Sequence, residues 1–126
     1  MKSRFYYGCK LLRVIDGDTI DVMADLGFDV NLKLRLRFKG INTPESRTRN
    51  KAEKVLGLAA KARLIEVLET ADTIEFLSYG KGKFGRVLAT PYVTVGDEHI
   101  DVCKLLINEN HARLYDGGKR EPWVIN

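Results

Sequence analysis

Eight consecutive residues, from Leu32 to Lys39, alternate between large apolar and positively charged side chains. Leucine or phenylalanine stands at each even-numbered position and lysine or arginine at each odd-numbered one. Because successive side chains of a β-strand point to opposite faces, this two-residue period predicts a strand with one buried face and one face of cations. The chain must therefore build a sheet that is covered on one side.

The segments around this strand predict further strands and a helix. Residues 11–15 and 20–24 flank the turn signal Asp16-Gly17-Asp18, and residues 73–79 and 86–95 flank a glycine-rich loop, so each pair predicts a hairpin. Between the hairpins, Asn50 and Glu53 resemble a capping box that opens a helix of roughly five turns. The three- and four-residue spacing of its apolar residues predicts one stripe against the core: Val55, Leu58, Ala59, Ala62, Ile65 and Leu68.

A second, short helix is expected from about Asp101, with Val102, Leu105 and Leu106 facing inward. Short strands with a helix inserted after the third are typical of a small, partly closed Greek-key barrel. The predicted fold class is therefore α+β and mainly β, an OB-fold, five-stranded Greek-key barrel with two to three helices. Residues 116–126 form a polar tail, which we expect to be loosely held.

Composition narrows the class of protein less than the pattern does. The 126 residues, of which 44% are hydrophobic and 30% charged, suit one globular domain over residues 1–126. Lys and Arg outnumber Asp and Glu by 21 to 17, a mild basic bias that agrees with a polyanion partner without requiring one. Cys9 and Cys103 match no zinc, haem or redox spacing and are expected to be free thiols; the alternative is a single disulfide between them. No apolar run approaches the ~20 residues of a membrane span, and no signal peptide is expected.

Three short segments contain the side chains that could do chemistry: Asp16-Gly17-Asp18-Thr19, Arg37 with Asn42-Thr43-Pro44-Glu45, and Gly82-Lys83-Phe84-Gly85-Arg86. Carboxylate and amide oxygens such as those of Asp18 and Asn42 are ligands for a hard divalent cation. Arg37 and Arg86 offer planar forks that match two phosphate oxygens. Glu45 is ionised at neutral pH and could orient a metal-bound water or take its proton.

Each segment also has a plainer interpretation. Asp16 and Asp18 are good turn formers, Glu45 could be a carboxylate at the start of a helix, and the glycine-rich loop could be a simple hairpin turn. Three of the four cations on the alternating strand are expected to be solvated charges, with Arg37 as the exception. No single segment decides between these interpretations.

Taken together, the three segments resemble the staphylococcal nuclease family, whose pattern is Asp-Gly-Asp-Thr, then Arg with Asp-Thr-Pro-Glu, then a glycine-rich loop that ends in Arg. The resemblance runs from about Val14 to Tyr115, and the order and spacing of the motifs agree with the predicted elements. It implies an OB-type barrel and calcium-dependent hydrolysis of DNA and RNA phosphodiesters with little sequence specificity. Magnesium or manganese could replace calcium.

The resemblance also implies a role for each matching residue. Three oxygen donors would bind the calcium ion: Asp18, Asn42 and the backbone carbonyl of Thr43. Three side chains would act in catalysis, two on the scissile phosphate and one on the attacking water: Arg37, Arg86 and Glu45. Asp16 would lie beside the ligands, and two side chains would hold the nucleotide: Lys83 and Tyr115. Tyr115 could equally be a residue at the edge of the core.

The sequence departs from the family pattern at Asn42, where the archetype carries aspartate. An amide oxygen can ligate calcium but brings no charge, so we expect weaker calcium binding rather than lost activity. The alternative function is a noncatalytic nucleic-acid-binding module on the same barrel, and a more remote one is an OB domain that binds protein or oligosaccharide. The expected partners are DNA and RNA without a membrane, and the expected state is a monomer. The lack of a visible secretion signal suggests a cytoplasmic or phage-encoded intracellular protein.

Overall fold

The computed structural model describes residues 5–123, which contain eight strands and two α-helices. The strands are β1 (Tyr6–Asp16), β2 (Thr19–Asp25), β3 (Asn31–Phe38), β4 (Ile41–Asn42), β5 (Thr73–Lys81), β6 (Val87–Val95), β7 (Glu98–Asp101) and β8 (Arg113–Leu114). The helices are α1 (Lys51–Glu69) and α2 (Val102–Asn108), and a short 3-10 turn spans Lys83–Gly85. The predicted strands and helices are all present, although β1 begins at Tyr6 rather than at residue 11. The short strands β4, β7 and β8 were not predicted.

Five of the strands close into a barrel. The sheet order is β3-β2-β1-β5-β6-β7 with antiparallel neighbours, and β3 also pairs in parallel with β6. The closing pairs include Leu36 with Val87 and Phe38 with Ala89. β4 and β8 form a separate two-stranded ribbon. The structure thus confirms the mainly β, OB-type barrel, with closure that leaves β7 as an extension of β6.

The alternating segment forms β3, and its period holds where the barrel is closed. Leu36 and Phe38 are buried in the barrel interior together with residues of β2 such as Ile20 and Val22. Leu32 pairs with Ala24 on the same face but is 49% exposed, because it stands at the far end of the hairpin. The local period therefore predicts the face of each residue, and its position along the barrel decides its burial.

The apolar stripe expected on α1 is confirmed only at its C-terminal end, where Leu68 is buried and Ile65 packs against the core, and is wrong over the first half of the helix. Val55 is 67% exposed and Leu58 is also exposed, and the side of the helix against the barrel shares only Leu68 with the predicted stripe. The buried residues of α1 are Gly57, Ala60, Leu64, Val67 and Leu68. Small residues occupy the first half of this buried side because a backbone segment, rather than side chains, lies against it. The spacing of large apolar residues does not reveal a buried helix face that is formed by glycine and alanine.

The helix starts agree with the sequence signals. Asn50 accepts a hydrogen bond from the backbone N–H of Glu53 at 3.1 Å, and Asp101 caps α2 through the N–H of Lys104 at the same distance. α2 buries Val102 and Leu106 as expected. Both cysteines are free thiols. Among residues 5–123, no helix is long and apolar enough to cross a membrane.

Candidate active site

The predicted site residues of the first two motifs meet at one end of the barrel. Thr19, the first residue of β2, pairs with Arg37 near the end of β3, and the backbone N–H of Phe38 donates to the carbonyl of Asp18 at 2.9 Å. The carboxylate of Asp18 in turn accepts a hydrogen bond from the backbone N–H of Thr43 at 3.1 Å. Residues 25 positions apart in the sequence are therefore joined by a buried hydrogen bond.

The turn that carries Asp18 is packed tightly against its surroundings. Thr19 Oγ1 donates to Asp18 Oδ1 at 3.0 Å, and both residues are buried. Gly17 has no room for a side chain, because a Cβ there would lie 2.9 Å from the Cβ of Ala60 and 3.1 Å from side-chain atoms of Thr43. The glycine thus allows the turn, α1 and the Thr43 segment to meet. The Asp18 carboxylate accepts hydrogen bonds from Thr19 on one oxygen and from Thr43 on the other.

Glu45 is exposed, whereas the other residues from Ile41 to Ser46 are buried. Three interactions hold the backbone at Glu45 and Ser46. Glu53 accepts from the N–H of Glu45 at 2.9 Å, and Asp16 accepts from both the N–H and the hydroxyl of Ser46. Gly57 of α1 packs directly on the segment, since a Cβ there would lie 2.2 Å from the carbonyl oxygen of Glu45. The Glu45 carboxylate therefore projects from a fixed base, and Asp16 holds the segment that carries it.

The structure sets Arg37 apart from the other cations of β3. Its side chain is 14% exposed, against 46% for Arg35, which donates two hydrogen bonds to the buried Asp21. Arg37 Nη1 donates to the carbonyl of Phe38 at 2.7 Å and lies 3.5 Å from Asp18 Oδ2. Burial lowers the pKa of Arg37 below its usual value, and the Asp18 charge opposes that shift. Arg37 is thus a largely buried charge beside Asp18, whereas the sequence predicted only that it would differ from the solvated cations of the strand.

Arg86 reaches the same end of the barrel from the third motif. It directly precedes Val87, which pairs with Leu36, so its backbone lies beside the end of β3. Its N–H donates to the carbonyl of Lys83 at 3.4 Å, which closes the 3-10 turn. The charge of Arg86 contributes to the lowered pKa of Arg37. The two arginines are therefore within electrostatic reach of each other.

The two predicted nucleotide contacts lie at the rim. Lys83 is exposed on the 3-10 turn. Tyr115 follows β8, and its N–H donates to the carbonyl of Gly40 at 2.8 Å, while its hydroxyl donates to the carbonyl of Gly118 at 2.7 Å. The ring of Tyr115 is partly buried. This placement agrees with either interpretation of Tyr115, a nucleotide contact or an edge residue.

Sequence reasoning missed two residues of this region. Phe84, in the 3-10 turn, is 90% exposed with a positive φ of 62°, and its ring centroid lies 5.7 Å from the guanidinium carbon of Arg86. Arg120, in the tail, donates to the Thr43 carbonyl at 3.1 Å and to Glu45 Oε1 at 3.3 Å. The exposed aromatic in a glycine-rich loop was visible in the sequence as a signal. Nothing local to the sequence could link residue 120 to a segment 77 positions earlier.

The tail is therefore not simply loose. Within residues 116–123, the guanidinium of Arg120 contacts the predicted site, and the ring of Trp123 stacks on Arg113 with 3.8 Å between the guanidinium carbon and the ring centroid. The last three residues of the tail fall outside the described residues. The expectation of a loosely held tail does not account for these contacts.

Comparison with known families agrees with this geometry. The family model of the staphylococcal nuclease homologues matches residues 35–122. The chain belongs to this family. Membership makes it a nuclease-like or nucleic-acid-binding module. The matched range begins after Asp16 and Asp18, and hydrogen bonds from Phe38, Thr43 and Ser46 connect these two residues to the family-matched part of the chain. A search of curated proteins returned no match.

The oxygen donors in this staphylococcal nuclease homologue are of the kind that a hard cation binds. Asp18, Asn42 and the Thr43 carbonyl are oxygen donors, and the hydroxyl of Thr43 is buried without a hydrogen-bond partner. Among residues 5–123, no three His, Cys, Asp or Glu side chains form a group that could hold a metal. A cation here would therefore meet one carboxylate and otherwise neutral oxygens and water. The residues fit calcium by donor type, with little ligand charge.

Proposed function

We propose that this staphylococcal nuclease homologue is a calcium-dependent nuclease that hydrolyses DNA and RNA phosphodiesters with little sequence specificity. The observation that supports it most is the buried hydrogen bond between Thr43 and Asp18. It joins the candidate metal ligands to the segment that presents Glu45, beside the buried Arg37. A carboxylate, hard oxygen donors and a phosphate-matching fork thus share one fixed platform.

In the proposed reaction, Arg37 and Arg86 bind the non-bridging oxygens of the scissile phosphate. Their guanidinium groups offset the negative charge that grows as water attacks phosphorus. Glu45 accepts the proton of that water, the new P–O bond forms, and the bond to the leaving oxygen breaks as that oxygen gains a proton from solvent. Bound calcium would supply neutralisation of phosphate charge and activation of the water.

Broad specificity follows from the kind of contacts that surround this platform. Phosphate contacts carry no direct sequence information, and stacking on an aromatic ring accepts every base. Phe84 offers an exposed ring beside Arg86, with Lys83 next to it in the same turn. A nucleotide could therefore be held by its phosphate and by the face of its base.

Two features predict a low affinity for calcium. Asn42 brings no charge, and Arg37 lies 3.5 Å from Asp18 Oδ2 and offsets the charge of that carboxylate. We expect Asn42→Asp to tighten calcium binding as measured by isothermal titration calorimetry without nucleic acid. Half-saturation of the native protein in the low micromolar range, unchanged in Asn42→Asp, would contradict this account. Magnesium and manganese are compared in the same assay.

A noncatalytic nucleic-acid-binding module is the second candidate, and Asn42 is the observation that favours it. The deciding experiment incubates single-stranded DNA, duplex DNA and RNA with the protein, in calcium or in EDTA. We expect calcium-dependent cutting by the native protein and about 10²- to 10⁴-fold less by Glu45→Gln. Glu69→Gln is the matched control, since Glu69 is an exposed glutamate at the other end of α1. Intact substrate in every lane, with retention on a gel, would support the binding module instead.

A further inference from the structure

The side chain of Arg120 bridges the two groups that the proposed function needs most. One terminal nitrogen donates to the Thr43 carbonyl at 3.1 Å, and the other donates to Glu45 Oε1 at 3.3 Å. The first acceptor is a candidate metal ligand, and the second is the candidate base. The positive charge of Arg120 thus occupies two oxygen atoms that a divalent cation and its bound water would also use.

We propose that Arg120 is a resident cation of this site, which positions Glu45 and the Thr43 carbonyl in the metal-free protein and yields both to a divalent cation. The proposal rests on the proposed function, because it takes the metal site from it. It adds a positioning residue that lies outside the three recognised motifs. It also makes tail docking and metal binding mutually exclusive at the Thr43 carbonyl.

Contacts on both sides of Arg120 hold the tail in the position that brings this side chain to the site. On one side of Arg120, the hydroxyl of Tyr115 donates to the carbonyl of Gly118 at 2.7 Å and folds the tail back. On the other side, Arg113 stacks on the ring of Trp123 and donates to the carbonyl of Pro122 at 3.1 Å. Contacts before and after residue 120 therefore hold the tail near β8. Because both flanking parts of the tail are held, Arg120 lies over the segment from Thr43 to Glu45.

The contact is also weak enough to be exchanged. The side chains of Arg120 and Glu45 are 41% and 51% exposed, and ion pairs in water contribute little because solvent screens them. A divalent cation carries twice the charge of a guanidinium and repels it at short range. When such a cation binds the Thr43 carbonyl, Arg120 must leave that oxygen. Its removal should therefore strengthen cation binding, because the competitor is gone.

The test is calcium affinity measured by calorimetry, with no nucleic acid present. At about 0.15 M salt, which screens distant charges, we expect Arg120→Gln to bind calcium about three- to tenfold more tightly than the native protein. Arg120→Lys keeps the charge but loses the two-pronged contact, and should lie between the two. Lys119→Gln removes a neighbouring exposed charge and serves as the matched control, with an affinity close to native. Circular dichroism checks that each variant is folded.

Fluorescence of Trp123 gives a second readout, because it is the only tryptophan of the chain and lies in the same tail. Calcium should shift the emission of the native protein toward that of Arg120→Gln, and should change the emission of Arg120→Gln much less. Calcium binding with equal affinity in native protein and Arg120→Gln would overturn the exchange and leave the nuclease proposal standing. No calcium binding in the native protein, in Arg120→Gln or in Asn42→Asp would overturn both.

Discussion

The packing of Gly57 against the Glu45 segment leads to the sharpest prediction about this fold. A Cβ at position 57 would lie 2.2 Å from the carbonyl oxygen of Glu45, 2.4 Å from its carbonyl carbon and 2.6 Å from the nitrogen of Ser46. All three are backbone atoms, which cannot rotate away as the end of a side chain can. In Gly57→Ala, the segment must retreat by about 1 Å to reach ordinary van der Waals contact.

Two opposing effects set the expected stability of Gly57→Ala. Alanine favours a helix over glycine by about 1 kcal/mol, whereas a methyl group forced into a packed site costs about 1–3 kcal/mol. We therefore expect a net loss of about 1 kcal/mol in the free energy of unfolding. Any cleavage should fall further, by about 10²-fold, because a displacement of about 1 Å moves Glu45 away from its working position.

Urea denaturation followed by circular dichroism measures the stability, and cleavage in calcium measures the function. Gly8→Ala is the matched control, since it adds the same methyl group in β1 where nothing lies within 4 Å. We expect that control to cleave as the native protein does. A Gly57→Ala protein that gains about 1 kcal/mol from helix propensity, with unchanged cleavage, would refute the close-packing argument. The stability arm tests the packing even if the native protein does not cut.

Three further predictions concern charge, thiols and stacking. Hydrogen bonds from Arg35 lower the pKa of Asp21. The pair therefore stabilises the fold above about pH 4, and this stabilisation is lost as acid protonates Asp21. Asp21→Asn should reduce the difference in unfolding free energy between pH 7 and pH 3 by up to about 1 kcal/mol. Burial raises the pKa of both thiols to about 12, so at pH 8 Ellman's reagent should label them slowly until urea unfolds the protein. Phe84→Ala should weaken binding of a short oligonucleotide about fivefold or more, whereas Phe28→Ala, an equally exposed aromatic on the β2–β3 loop, should not.

Much of the fold was predictable because its signals are local. The alternation that ends in Leu36 and Phe38 identified β3 and its inward face, and Asn50 identified the start of α1. The barrel class followed from the order of the elements. What failed was the face of α1, where Val55 is exposed and Gly57 is buried. Hydrophobic periodicity measures side chains, whereas this helix packs its small residues on the backbone of another segment.

Part of the candidate site was likewise predictable from the sequence, and part was not. Residue type and order were enough to select Asp18, Arg37 and Glu45 as candidate groups, and the resemblance to the family is what implied a phosphodiester site. The sequence alone also determined the strand period and the helix start, because a strand or a turn is read over a few neighbouring residues. The tertiary structure alone decided that Asp18 bonds to Thr43, and that Arg120 reaches the same segment from the tail. Those contacts join residues 25 and 77 positions apart, and they depend on where barrel closure and the path of the tail bring the chain.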